Sequence, residues 1–154
     1  MTEIFRIDAD GSFDAATGTG GWAFVVYQSD CQHHVSSGRA AGTSNNRFEV
    51  LAALNAMAWV AAEAPADTVT LRTDSLHVVE GCTRWRAIWR NNGWKRITAN
   101  AHARRRLIPD RDLWQELDML LERCPNVAVE WCKGHAGEAG NELADRLARE
   151  AARR

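Results

Sequence analysis

The sequence predicts an α/β domain built on a mixed sheet. Two patterns carry that prediction. The N-terminal part holds short alternating runs separated by turn residues, the mark of antiparallel hairpins. The remainder interleaves helix-length apolar segments with short strand-like runs, which calls for parallel crossovers. A length of 154 residues, with 45% hydrophobic and 25% charged residues, suits one compact domain spanning 1–154.

Each element has a local reason. Ile4 to Asp10 alternates and ends at Gly11-Ser12, so it reads as the first strand. Asp14 to Gly21 is a turn rich in Gly and Thr, and Trp22 to Gln28 is the second strand. Ser29-Asp30 turns the chain into a third strand near Gln32 to Ser37. Ser44-Asn45-Asn46 offers capping side chains to a helix running to about Ala62. That helix is apolar nearly all round, which predicts a buried, central position. Pro65 ends the connection, and Val69 to Thr73 is a fourth strand finishing at Asp74. Short helices are expected at Leu76 to Cys82 and near Trp85 to Asn91, followed by an irregular basic segment from Gly93 to Pro109. Asp110 can cap a helix whose apolar stripe is Leu113, Trp114, Leu117, Leu120 and Leu121, with Pro125 as its stop. Val127, Val129 and Trp131 alternate with Ala128, Glu130 and Cys132 in a fifth strand, and a last helix covers about Glu138 to Ala152. The order is β-β-β-α-β-α-α-α-β-α, a five-stranded mixed sheet with helices on both faces.

Composition excludes several classes. No apolar run is long enough to span a bilayer, and the N-terminus lacks the basic-then-apolar pattern of a signal peptide. A cytoplasmic monomer with no membrane partner is expected. Cys31, Cys82, Cys124 and Cys132 form no C-x-x-C pair, so reduced, mostly buried thiols are expected rather than a zinc site. The net charge of −1 conceals an asymmetry. Arg84, Arg86, Arg90, Lys95, Arg96, Arg104, Arg105, Arg106 and Arg111 fall in a stretch whose only acid is Asp110, while 19 of the 20 acidic residues lie elsewhere. A basic block in an acidic chain suits a polyanion partner, because each phosphate contacted releases counterions. A solvated basic loop explains the charge equally well.

Four carboxylates stand out. Asp10 ends the first strand and Asp74 the fourth, and ligands of open α/β sheets bind beyond the carboxyl ends of strands. Glu49 is the lone acid of an otherwise apolar stretch. It either complements the helix dipole or needs a cation partner for its buried charge. Asp145 lies i,i+4 from Arg149, and an exposed ion pair accounts for it. Asp8 shares a face with Asp10 by period two, and spacing alone allows either as a ligand. The turn directly after Asp10 favours Asp10 and leaves Asp8 as a polar edge residue. Carboxylates without a Cys or His cluster favour Mg²⁺ or Mn²⁺, and two such ions suit phosphodiester hydrolysis.

These residues, taken together, resemble type 1 ribonuclease H. The resemblance is carried by Asp10-Gly11-Ser12, Ser44 to Glu49, Thr73-Asp74-Ser75, Trp85 to Lys95, Lys133 to Gly137 and Asn141 to Asp145, and runs from about Ile4 to Ala151. It implies a ribonuclease H-like fold and cleavage of the RNA strand of an RNA–DNA hybrid duplex. It implies that Asp10, Glu49, Asp74 and Asp145 hold two Mg²⁺ ions, with Mn²⁺ as a substitute, and that products carry 5′-phosphate and 3′-hydroxyl ends. His135 would assist proton transfer or product release. Ser12 and the backbone near it, with Asn45, would contact RNA; Asn46 and Ser44 would face the DNA side. Trp85 would line the DNA channel with Trp89 beside it, and Arg90 and Lys95 would supply basic contacts. The 44–46 segment also reads as plain helix capping, and Trp85 with Trp89 as a core stripe, with at least one of the two expected to serve packing alone.

The sequence departs from the family pattern in places. Leu76 stands where a Gln is common, removing one contact to the RNA minor groove. Phe13 to Thr17 lacks a Gly-Asn-Pro pattern. Arg90-Asn91-Asn92 replaces a denser basic run, and Arg104-Arg105-Arg106 in a lengthened segment is a candidate compensation. No additional hybrid-binding domain is expected before the first strand. A 3′–5′ exonuclease would show Asp-x-Glu on the first strand, and a non-catalytic hybrid-binding module would lack a carboxylate. A scaffold with structural acids would need no metal.

Overall fold

A computed structural model describes residues 2–100, 104, 106–134 and 137–154. The sheet comprises β1 (Ile4–Asp14), β2 (Thr19–Gln28), β3 (Cys31–Ala41), β4 (Thr68–Thr73) and β5 (Val127–Trp131) in spatial order β3-β2-β1-β4-β5. The hairpin strands β1, β2 and β3 pair antiparallel; β1–β4 and β4–β5 pair parallel. The expected five-stranded mixed sheet and element order are therefore present.

Two helices sandwich the sheet. α1 (Asn45–Glu63) packs on one face, against β1 and β2, and α5 (Ala139–Arg153) packs against β1, β2 and β3. The side chains of Phe48, Val50, Met57 and Val60 on α1 are fully buried, each contributing ~1.5–3 kcal/mol of transfer free energy. α1 is apolar nearly all round because α4 (Arg111–Arg123) covers its outer side with Leu113, Trp114, Leu117 and Leu121. No helix among the described residues is long and apolar enough to cross a membrane. All four cysteines are free, and three are buried.

Three local readings are corrected. β1 does not stop at Asp10: Gly11 to Asp14 continue the ladder with Trp22 to Thr19, and the turn lies at residues 15–18. Pairing with β2 overrides the turn preference of Gly-Ser. Asp8 is no edge residue, since β1 is flanked on both sides and Asp8 is 1% exposed. Asp110 does not cap α4 with its side chain; it adopts a left-handed backbone (φ 58°) and its carboxylate takes Arg47 instead. The two short helices expected after Asp74 form a nearly continuous rod: α2 (Leu76–Glu80), a π-helical turn (Gly81–Trp85) and α3 (Arg86–Asn91).

Candidate active site

The site is built where the parallel pair β1–β4 runs out. Their register ends at Asp8 opposite Arg72, and β4 ends at Thr73. The chain then turns away, with Ser75 capping α2 by accepting from the Val78 N–H. Asp10 therefore lies just past the end of the parallel pairing, on the side of β1 that β4 leaves unpaired, next to Asp74 at the carboxyl end of β4. α1 supplies the third acid because it approaches β1 with almost no clearance. A Cβ on Gly11 would lie 2.2 Å from the Phe48 carbonyl carbon, so only glycine lets the first turn of α1 bring Glu49 to the strand. Gly134 plays the same part after β5, where a Cβ would lie 2.6 Å from Asp74 Oδ2. Trp131, 48% exposed, donates its indole N–H to the Asp74 carbonyl at 3.2 Å.

One oxygen from each of Asp10, Glu49 and Asp74 lies within 4.8 Å of the others. Asp10 and Glu49 are 3% and 8% exposed, and Asp74 is half-buried. The Gly11 N–H donates to Asp10 Oδ1 at 3.0 Å and to Glu49 Oε2 at 3.2 Å, and Asn45 Nδ2 approaches Glu49 Oε1 at 3.5 Å. Burial, then the charges of Glu49 and Asp74, hold Asp10 far above the usual carboxylate range; a hydrogen bond with Asp145 adds to this. Burial likewise raises Glu49, with Asp74 adding, although hydrogen bonds from Asp10, Gly11 and Asn45 pull it back. Held ionised together, such carboxylates need a cation, and an all-oxygen donor set fits a hard one. The helix-dipole account of Glu49 explains neither its burial nor its two acidic neighbours.

The remaining candidates spread around this centre. Asp145 makes the ion pair that its spacing predicts, with Arg149 at 3.2 Å, and also reaches Asp10. His135 lies outside the described residues. Ser44 caps α1 by accepting from the Arg47 N–H at 3.3 Å, and Asn46 is exposed on the same turn. Ser12 lies beside Arg149 and Arg153 in a polar cavity of about 340 Å³. Trp85 and Trp89 stack at 6.2 Å, and Trp89 turns its edge to buried Trp114 at 5.2 Å, so Trp89 carries the packing. Arg90 pairs with Asp118 and Glu122, and Lys95 is exposed opposite Leu107. Sequence reasoning passed over Arg47, which clamps α1 to the start of α4 through Asp110 (3.0 Å) and Asp112 (2.9 Å). It also passed over Trp131 and the tight contact of Gly134. Only the glycine's place just after a strand and close to Asp74 in the fold could have flagged it.

Comparison with known proteins follows the same lines. The chain matches the RNase H family over residues 3–153. Ribonuclease H of Thermosynechococcus vestitus is 38% identical over 153 residues, covering 99% of this chain and 91% of that protein. LC9-RNase H1, a type 1 RNase H with the type 2 active-site motif, superposes with a TM-score of 0.74 at 28% identity, covering 99% of this chain and 73% of that one. The foamy viral protease-reverse transcriptase in complex with RNA/DNA hybrid gives a TM-score of 0.76 at 17% identity, over 98% of this chain and 20% of that one, a likeness of fold.

Proposed function

The chain belongs to the RNase H family, as a metal-dependent ribonuclease of type 1, and from that premise we propose that it hydrolyses the RNA strand of RNA–DNA hybrids internally, leaving 5′-phosphate and 3′-hydroxyl ends. The observation that carries this reading is the convergence of Asp10 and Asp74 with Glu49 of α1 where the parallel pairing of β1 and β4 ends.

Asp10, Glu49, Asp74 and Asp145 are the residues that would hold two Mg²⁺ ions, Mn²⁺ being an alternative. When bound there, such a pair supplies an activated water and neutralises charge on the leaving 3′ oxygen. The chain's own groups do the rest. Gly11 N–H, shared by Asp10 and Glu49, fixes both carboxylates in place. Trp131 and Gly134 fix Asp74, one by a hydrogen bond to its backbone and the other by leaving its carboxylate room. Asn45, which approaches Glu49, and Ser12, two residues after Asp10, are assigned to contact the RNA strand near the cut. Ser44 and Asn46 lie on the turn assigned to DNA, and Trp85 with Lys95 on the channel side. His135, which follows β5 in the sequence and lies outside the described residues, is assigned proton transfer or product release. We assign the activity to one domain, in keeping with a family match over residues 3–153, and propose that it acts as a monomer in the cytoplasm.

The test is cleavage of an RNA–DNA duplex labelled on RNA, in Mg²⁺ and in chelator. Matched RNA–RNA and DNA–DNA duplexes and the Asp74→Asn variant run alongside. Internal cuts in hybrid RNA alone, lost in chelator and in the variant, are expected. Binding without cleavage in either metal would overturn the enzymatic reading, and cleavage of DNA would overturn the substrate.

A further inference from the structure

The basic block sorts into two classes once partners are known. Arg86 Nη1 lies 2.8 Å from Asp118 Oδ1 and 2.7 Å from Glu122 Oε1, and its Nε donates to the Cys82 carbonyl at 2.6 Å. Arg90 reaches the same two carboxylates at 3.5 and 3.3 Å. Asp118 is buried, so its charge depends on these guanidiniums. Two cations and two carboxylates therefore cancel between α3 and α4. Drawing Arg86 onto a phosphate would cost buried Asp118 its 2.8 Å partner, and drawing Arg90 away would unbalance the same cluster.

Arg84 and Arg96 are different. Neither enters an ion pair among the described residues. Arg84 is exposed and places its guanidinium 5.1 Å from the centre of the Trp85 ring. Arg96 lines, with Trp85, Trp89 and Ile97, an open cavity of about 340 Å³. Its backbone is fixed by an N–H bond to the Arg106 carbonyl at 2.7 Å. Trp85 thus has one uncancelled cation over its ring and a second lining the cavity it borders, the combination that holds a nucleic-acid strand by phosphate charge and stacking.

We propose that Arg84 and Arg96, flanking Trp85, are the arginines that grip phosphates of the DNA strand, whereas Arg86 and Arg90 serve to hold α3 on α4. This assignment rests on the hybrid reading above and divides the block by function. It moves Arg90, a basic contact by family resemblance, to a structural role.

The test is the salt dependence of hybrid binding by the whole protein, measured in chelator so that no strand is cut. Arg84→Gln and Arg96→Gln should each reduce the slope of log K against log salt by about 1, and the double variant by about 2. Arg90→Gln should leave the slope unchanged and lower Tm. A hybrid with neutral methylphosphonates along the DNA strand should show a reduced slope that Arg84→Gln and Arg96→Gln do not reduce further, whereas the same change on the RNA strand should leave their effects intact. A slope flattened by Arg90→Gln, or unmoved by the Arg84/Arg96 double variant, would overturn the assignment. If the wild-type protein binds and cleaves hybrid while those slopes disagree, this assignment alone fails. If the wild-type protein does not bind hybrid, the functional reading fails with it.

Discussion

Replacing Asp10 by Asn should abolish cleavage and yet stabilise the metal-free protein. Asp10, Glu49 and Asp74 offer oxygens within 4.8 Å of one another. At that separation each pair of full charges repels by about 3 kcal/mol for an effective dielectric constant near 20. Proton uptake limits the penalty, because a carboxyl raised by one pH unit costs ~1.4 kcal/mol at most. Asn keeps an Oδ1 that accepts the Gly11 N–H, so the substitution removes charge without orphaning that donor. A net gain of roughly 1–3 kcal/mol follows, or about 3–10 °C in Tm for a domain of this size. The sign with pH is fixed. Asp10 and Glu49 are raised in the folded state above ordinary values of 3.8 and 4.5. The unfolded chain therefore releases protons that the folded cluster retains, and wild-type stability falls as pH rises from about 4 through neutrality. The Asp10→Asn advantage should grow between pH 5.5 and 7.5 in chelator. It should shrink in saturating Mg²⁺, where binding at 100 times Kd returns ~2.7 kcal/mol to the wild type. Thermal melts of both proteins under those conditions decide it. A variant that melts below the wild type at pH 7.5, or a gap independent of pH, would refute the reasoning.

Other outcomes follow from single contacts. Gly134→Ala drives a methyl toward Asp74 Oδ2, so kcat/KM should fall ~10²-fold while Tm moves by less than about 2 °C, as read by hybrid cleavage and calorimetry. Gly11→Ala meets backbone atoms of Phe48 and Glu49 that cannot yield, and urea unfolding should show a loss of at least ~3 kcal/mol or no folded protein. A chromogenic disulfide reagent should modify one thiol rapidly in the native protein, that of exposed Cys31. Burial pushes the Cys82 thiol up to about 12 and the Cys132 thiol up to about 11, so both should react only on unfolding.

The sequence alone determined whatever depends on neighbours along the chain. Alternation placed the strands, and the apolar character of residues 48–62 announced a helix covered on both sides. An acid inside that helix, with acids after two strands, announced a cation centre, because burying such a charge unaided is too costly. Long-range pairing decided the rest. Gly11-Ser12 has the local signature of a turn, but β2 opposite it supplies hydrogen bonds that keep it extended. Asp8 carries no local mark of burial; being flanked by β2 and β4 buries it. Asp110 looks like a cap until Arg47, far away in sequence, offers a stronger partner. The basic block shows its charge in the sequence but hides which cations are cancelled, since Asp118 and Glu122 lie on another helix. Backbone propensity and periodicity act over a few residues and can be read in order. Charge compensation and strand pairing act through space, so only the folded chain could assign them.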